Sequence, residues 1–190
     1  MNLDFSHQQY TVRQNIFNLF GATVKVLDDN EQPILYARMK SFKLKEDIRI
    51  FHDQQRTHEV FRISARNIID FSATYDIFDS ASNTKIGALR RKGLKSLFKD
   101  EWELFDTDDN QIGLIKEDSR LMAFLRRFLS GLIPQNFHVY HGEQEIAQFK
   151  RAFNPFVNRM KVDFSMDTER DFDHRLGLAS ALLIVLIESR

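Results

Sequence analysis

The sequence predicts a mainly β (α+β) domain: an antiparallel sheet of hairpins that closes into a barrel around a hydrophobic C-terminal helix, with one amphipathic helix near 118–134. Three observations lead there. A hairpin-like unit recurs along the chain; phenylalanine is abundant, 18 against 7 glycines and 3 prolines; and the chain nears its end on "LGLASALLIVLI" (176–187), which carries no formal charge. Aromatic side chains suit pleated, half-buried surfaces, so the composition leans towards sheet.

The recurring unit stacks as "VKVLDDNEQPILYARMK" (24–40), "YDIFDSASNTKIGALRRK" (75–92), "WELFDTDDNQIGLIKED" (102–118) and "FHVYHGEQEIAQFKRA" (137–152), with "IRIFHDQQRTHEVFRISAR" (48–66) a looser copy. Each has a short apolar run, a polar turn and a second apolar run with basic residues after it. The turns carry Asp28, Asp29 and Asn30; Asp79 and Asn83; Asp106 and Asn110; and Gly142. Such residues accept turn or left-handed geometry, so each unit reads as a β-hairpin. Leu27, Phe51, Phe78, Phe105 and Tyr140 align at spacings of about 24, 27, 27 and 35 residues. The apolar-alternating linkers at 15–20 and 41–48 are expected to supply further strands, for roughly ten to twelve in all, enough to close.

Two helices complete the expectation. In "EDSRLMAFLRRFLSGLIPQN" (117–136), Leu121, Phe124, Leu125, Phe128, Leu129 and Leu132 recur on one helical face, Asp118 or Ser119 serves as N-cap, and Pro134 helps to end it. A membrane-spanning helix needs about 20 predominantly apolar residues. The run at 176–187 is shorter, and Arg170, Asp171, Asp173, His174 and Arg175 lie just upstream. It therefore reads as a core helix enclosed on every side, with Asp171 or Asp173 near its first turn, where a negative charge suits the helix dipole.

A chain of 190 residues fits one domain, taken as 10–190 after an extension at 1–9. Lys plus Arg equals Asp plus Glu at 27 each, so no overall field recruits nucleic acid or an anionic membrane, which leaves that role to local patches. Cysteine is absent, which removes disulfides and thiolate chemistry. No signal peptide is seen at the N-terminus, and a cytoplasmic location is expected. There is no G-x-S-x-G, P-loop, G-x-G-x-x-G or H-E-x-x-H, so the expectation is a non-enzymatic domain without a cofactor. A hydrolase whose triad is not local in sequence is the low-weight alternative. His138 and His141, three apart on a strand, point to opposite faces and read as strand and turn residues.

The pieces "YDIFDSASNTKIGALRRK", "WELFDTDDNQIGLIKED" and "DFDHRLGLASALLIVLIE" resemble the tubby C-terminal-like superfamily, with the nearest likeness to LURP-one-related proteins and phospholipid scramblases. The resemblance runs from about Tyr10 to the C-terminus. It implies a closed barrel of about twelve strands wrapped around a central hydrophobic helix, placing Leu176–Ile187 inside. Tubby-type members bind phosphoinositides through basic residues on the barrel exterior, and scramblases are linked to calcium-dependent lipid movement. Fold alone does not carry function across such a set.

Three stretches are candidate sites. Lys85, Arg90, Arg91, Lys92, Lys95 and Lys99 fall in "KIGALRRKGLKSLFK" (85–99), which contains no acid. They read either as a peripheral site for anionic phospholipid headgroups or as a solvated strand balanced by Asp100, Glu101 and Glu103. In the helix at 118–134, Phe124 and Phe128 with Arg126 and Arg127 read either as a membrane-interface face or as the cover of one barrel end. In the acidic run "VDFSMDTERDFD" (162–173), Asp171-Phe172-Asp173 is similar to the scramblase segment assigned to calcium binding. Asp163 and Asp167 are possible further oxygen ligands for Ca2+, and helix capping explains Asp171 and Asp173 equally. The leading reading is peripheral binding of anionic phospholipids. The alternatives are a protein-binding adaptor and a calcium-responsive, scramblase-like protein.

Overall fold

The computed structural model describes residues 5–15, 22–39, 47–66, 73–92, 101–118, 135–152 and 157–188. The first strands are β1 (Gln9–Asn15), β2 (Ala22–Leu27), β3 (Pro33–Met39) and β4 (Ile48–Phe51). Then come β5 (Glu59–Ala65), β6 (Thr74–Asp79), β7 (Thr84–Arg91) and β8 (Glu101–Phe105). The last four are β9 (Gln111–Glu117), β10 (Gln135–His141), β11 (Gln144–Ala152) and β12 (Val157–Asp163), followed by helix α1 (His174–Glu188). Every strand pairs with its neighbours in sequence, and β1 pairs with β12 to close an antiparallel barrel of twelve strands. Five hairpins match the five repeat units. The helix expected at 118–134 and the strands expected at 15–20 and 41–48 fall almost wholly outside the described residues. The two strands that complete the twelve are β1 and β12, which no repeat unit includes.

The repeat has a physical basis in its bulges. In all five hairpins the register slips by one residue, at Val26/Leu27, Ile50/Phe51, Ile77/Phe78, Leu104/Phe105 and Val139/Tyr140. Each slip falls at the residue aligned across the sequence repeat. The extra residue on the return strand is Ile34, Val60, Ile86, Ile112 or Ile146. All are β-branched aliphatics, and all pack in or against the core. A bulge bends its strand and increases local twist, as a closing sheet requires. Gly113 sits beside one of these slips, where a Cβ would overlap the Tyr140 carbonyl oxygen, so only glycine fits.

The turns repeat a second device. Glu31, Arg56, Asn83, Asp109 and Gly142 each hold the left-handed conformation, one per hairpin turn, with φ between 54° and 65°. A type I turn followed by a left-handed residue and a bulge is a standard hairpin solution. Four of these turns are tied by an aspartate that accepts backbone N–H groups: Asp28 from Asn30 and Gln32, Asp53 from Thr57 and His58, Asp79 from Ser82, and Asp106 from Asp108 and Asn110. Of the turn residues singled out in the sequence, Asn83 and Gly142 take the left-handed position, and Asp28, Asp79 and Asp106 serve as turn acceptors.

Helix α1 enters the barrel at the hairpin-turn end. Arg175 Nη1 donates to Asp79 Oδ2 at 3.1 Å, and the Phe172 ring lies 6.0 Å from that of His141. Asp173 is the N-cap: its carboxylate accepts the Arg175 N–H at 2.9 Å, and its carbonyl accepts from Leu176 and Gly177. Leu176, Leu178, Ala179, Ser180, Ala181, Leu182, Leu183, Ile184, Val185 and Leu186 are all at most 2 % exposed. A helix buried on its whole circumference is enclosed on every side, here by the barrel. The single hydroxyl, Ser180, donates back to the Leu176 carbonyl at 2.7 Å, so it adds no unsatisfied polar group. No helix among the described residues is long and apolar enough to cross a membrane.

Candidate functional site

Strand alternation divides the basic segment. Leu89 pairs with Leu104 and Arg91 with Trp102, both on the inner side, whereas Arg90 pairs with Glu103 on the outer side. Arg91 therefore turns inward, with its guanidinium 5.7 Å from the centre of the buried Trp102 ring. The outward cations meet acids on a neighbouring strand or turn. Arg90 Nε donates to Glu103 at 2.7 Å, Lys92 Nζ to Glu101 at 2.7 Å, and Lys85 Nζ to Asp109 at 2.6 Å. The hydrogen bond and charge of Glu101 hold the Lys92 ammonium above its ordinary pKa. Asp109 is pulled down to about 2, first by the hydrogen bond from Arg66 and then by that from Lys85. Lys95 and Lys99 lie outside the described residues, as do Phe124, Arg126, Arg127 and Phe128.

Other exterior cations roof aromatics of the repeat. Lys25 stands over Tyr36, Arg62 over Phe78, Arg90 over Phe105 and Lys116 over Tyr140, at 4.7–5.6 Å from the ring centres. Each cation comes from the strand adjacent to the aromatic. This arrangement covers outward rings while leaving the charge in water.

A different face gathers cations that sequence inspection did not connect. Closure places β11, β12, β1, β2 and β3 side by side. Their outward residues include Lys150, Arg159, Lys161, Arg13, Lys25 and Arg38. Three directly paired positions join like charges: Lys150 with Lys161, Arg159 with Arg13, and Arg13 with Lys25. Like charges directly opposite each other destabilise a sheet. Nearby acid is sparse: Arg159 reaches Glu31 at 2.9 Å, and Asp163 is engaged by Gln9 and the Ser165 N–H. The side chains of Arg13, Arg38 and Lys161 make no hydrogen bond or ion pair to a described residue. The signal that would have found this face is register across the chain ends, which no local motif carries.

The acidic run does not assemble as one cluster. Asp173 caps α1 and forks with the Arg175 guanidinium, 2.6 Å from Nη2. Asp167 is buried against His174 at 3.0 Å, and the His174 ring stacks on Phe164 at 4.3 Å. Asp163 faces Gln9, and Asp171 is exposed. Among the described residues, the group whose ligand atoms lie within 4.8 Å of one another is His7, Asp28 and Asp29.

His138 and His141 do point to opposite faces. His138, outward on β10, has Nδ1 2.7 Å from Glu145 Oε1 and Nε2 2.7 Å from Asp118 Oδ1. Burial lowers the imidazole pKa, but the hydrogen bonds and charges of Glu145 and Asp118 outweigh it and hold the ring above its ordinary value. Burial likewise raises Glu145, and the bonds from His138 and Gln148 with the charges of His138 and Lys150 reverse this, leaving it below the usual carboxylate range.

A closed antiparallel barrel of twelve strands threaded by an apolar C-terminal helix defines the class: it is a tubby-like fold. Residues 33–186 match the family model described as LURP-one-related, and the chain belongs to that family. No curated protein and no solved structure matches it.

Proposed function

We propose that this LURP-one-related barrel is a non-enzymatic module that docks peripherally on anionic phospholipid surfaces, through the face formed by β11, β12, β1, β2 and β3. The observation that carries the reading is the set of three like-charge cross-strand pairs, two of them sharing Arg13. A bilayer bearing phosphate and carboxylate groups supplies the opposite charge that the sheet lacks, each cation near such a surface contributing about 1 kcal/mol. Arginine adds bidentate contacts to phosphate oxygens. The test is co-sedimentation with phosphatidylserine-containing vesicles against vesicles of phosphatidylcholine alone. Binding is expected only to the anionic vesicles and is expected to weaken with salt. The double variant Arg13→Glu with Lys161→Glu should bind roughly tenfold more weakly or worse. Undiminished binding of that variant, with loss in Arg90→Glu with Lys92→Glu, would transfer the site to β7.

A further inference from the structure

We propose that His138 is a proton-operated gate on this basic face, strengthening its hold on an anionic surface when protonated; the proposal rests on the lipid-docking reading above. The geometry at the ring is the starting point. Both imidazole nitrogens lie 2.7 Å from carboxylate oxygens, one from Glu145 and one from Asp118. A neutral imidazole has one N–H and one lone pair, so it satisfies only one of these contacts. The imidazolium satisfies both.

The surroundings connect this ring to the docking face. On β9, Lys116 pairs directly with His138 and extends its ammonium over the Tyr140 ring at 5.2 Å, and Asp118 follows the strand. On β11, Gln148 pairs directly with His138 and donates to Glu145 at 2.8 Å. Lys150, two residues further on, pairs with Asn136, whose amide donates to Asp118 at 2.8 Å. Lys150 is also the first cation of the docking face, opposite Lys161. The charged groups around the ring are therefore Lys116, Lys150, Asp118 and Glu145. With His138 protonated their sum is +1, and with it neutral the sum is 0.

Loss of the proton leaves one carboxylate facing a lone pair. That carboxylate seeks another cation, and Lys150 already acts electrostatically on Glu145. Lys150 is drawn towards the acids and away from the face it borders. Docking should thus be strongest while His138 is charged and should fall as pH rises through its pKa, which lies above the ordinary value near 6.5.

The experiment is co-sedimentation of the full chain with phosphatidylserine-containing vesicles at about pH 6 and about pH 8.5, for the wild type and His138→Gln. One unit of charge at an anionic surface corresponds to about a fivefold change in affinity, so the wild type should bind about fivefold more weakly at the higher pH. His138→Gln should bind at the weaker level at both. A pH-independent wild type, or a variant that keeps the full pH dependence, overturns the gate and leaves the docking reading standing. No binding to anionic vesicles at either pH overturns the docking reading and the gate with it. If His138→Gln does not fold, an NMR titration of the wild-type His138 ring decides: a midpoint at or below the ordinary value overturns the gate, and one above it supports it.

Discussion

Two faces of the same barrel carry cations in comparable number and treat them in opposite ways. Across β6 to β9, cross-strand neighbours are of opposite sign: Arg90 faces Glu103, Glu101 faces Lys116, and Lys85 reaches Asp109. Across β11, β12, β1 and β2, neighbours are of like sign. A like pair also occurs at Arg49 and Arg62, but Arg49 bonds Glu59 at 2.9 Å and Arg62 stacks on Phe78. In the segment that looks most basic in the sequence, Lys85, Arg90 and Lys92 are therefore each paired with an acid in the fold, whereas the like-charge face joins residues up to 148 positions apart (13 to 161). Contiguity in sequence does not measure free charge. Register does.

The largest effect expected is one that abolishes the comparison. Both faces exist because α1 fills the barrel and holds it closed. Leu183 is 0 % exposed on that helix, and an aspartate there places an unpaired charge in an apolar interior. Leu183→Asp should cost more than about 4 kcal/mol and remove the cooperative thermal transition seen by circular dichroism. A variant that melts like the wild type would mean that the helix is not the shared support of the two faces.

A smaller pair of changes separates the faces directly. Arg13→Glu converts two like pairs, with Arg159 and with Lys25, into opposite ones. It should raise the melting temperature by roughly 1–4 °C while weakening vesicle binding. Arg90→Glu places a carboxylate beside Glu103, whose side chain is only 10 % exposed, and removes the cation over Phe105. It should cost about 1–3 kcal/mol and leave vesicle binding unchanged. Stability and binding thus move in opposite senses on one face, whereas on the other only stability responds. If Arg13→Glu lowers the melting temperature, its like-charge pairs are not strained and the case for an anionic partner weakens.

Much of this architecture was legible because each hairpin is local. The aligned residues Leu27, Phe51, Phe78, Phe105 and Tyr140 mark the bulges, and the inserted Ile34, Val60, Ile86 and Ile112 keep a still stricter spacing of 26. The apolar run 176–187 announced an enclosed helix by its lack of a polar side. Strands β1 and β12 were not legible, since each finds its partner at the opposite end of the chain, Gln9 against Asp163. For the same reason Arg13 and Arg159 gave no sign of being neighbours. The inward turn of Arg91 was available from strand alternation, because adjacent residues on a strand cannot share a face. The acids opposing Lys85, at Asp76 and Asp109, come from a neighbouring strand and a distant turn.

The smallest effect expected is confined to acid. Asp109, held near a pKa of about 2 first by Arg66 and then by Lys85, sits below its ordinary value of 3.8. A carboxylate whose folded-state pKa is depressed adds stability that is fully present above the unfolded value. That stability is lost as pH falls through the folded one. The melting temperature should therefore decline between about pH 4 and pH 2, and Asp109→Asn should flatten part of that decline. Asp53, also near 2 although burial opposes it, contributes in the same window through the N–H groups of His58 and Thr57 and is unaffected by the substitution. The side chains of Arg13 and Lys161 have no carboxylate partner among the described residues, so these two cations add nothing to the acid transition. An Asp109→Asn profile that coincides with the wild type throughout would show that the pairing on β6 to β9 is not what neutralises that face.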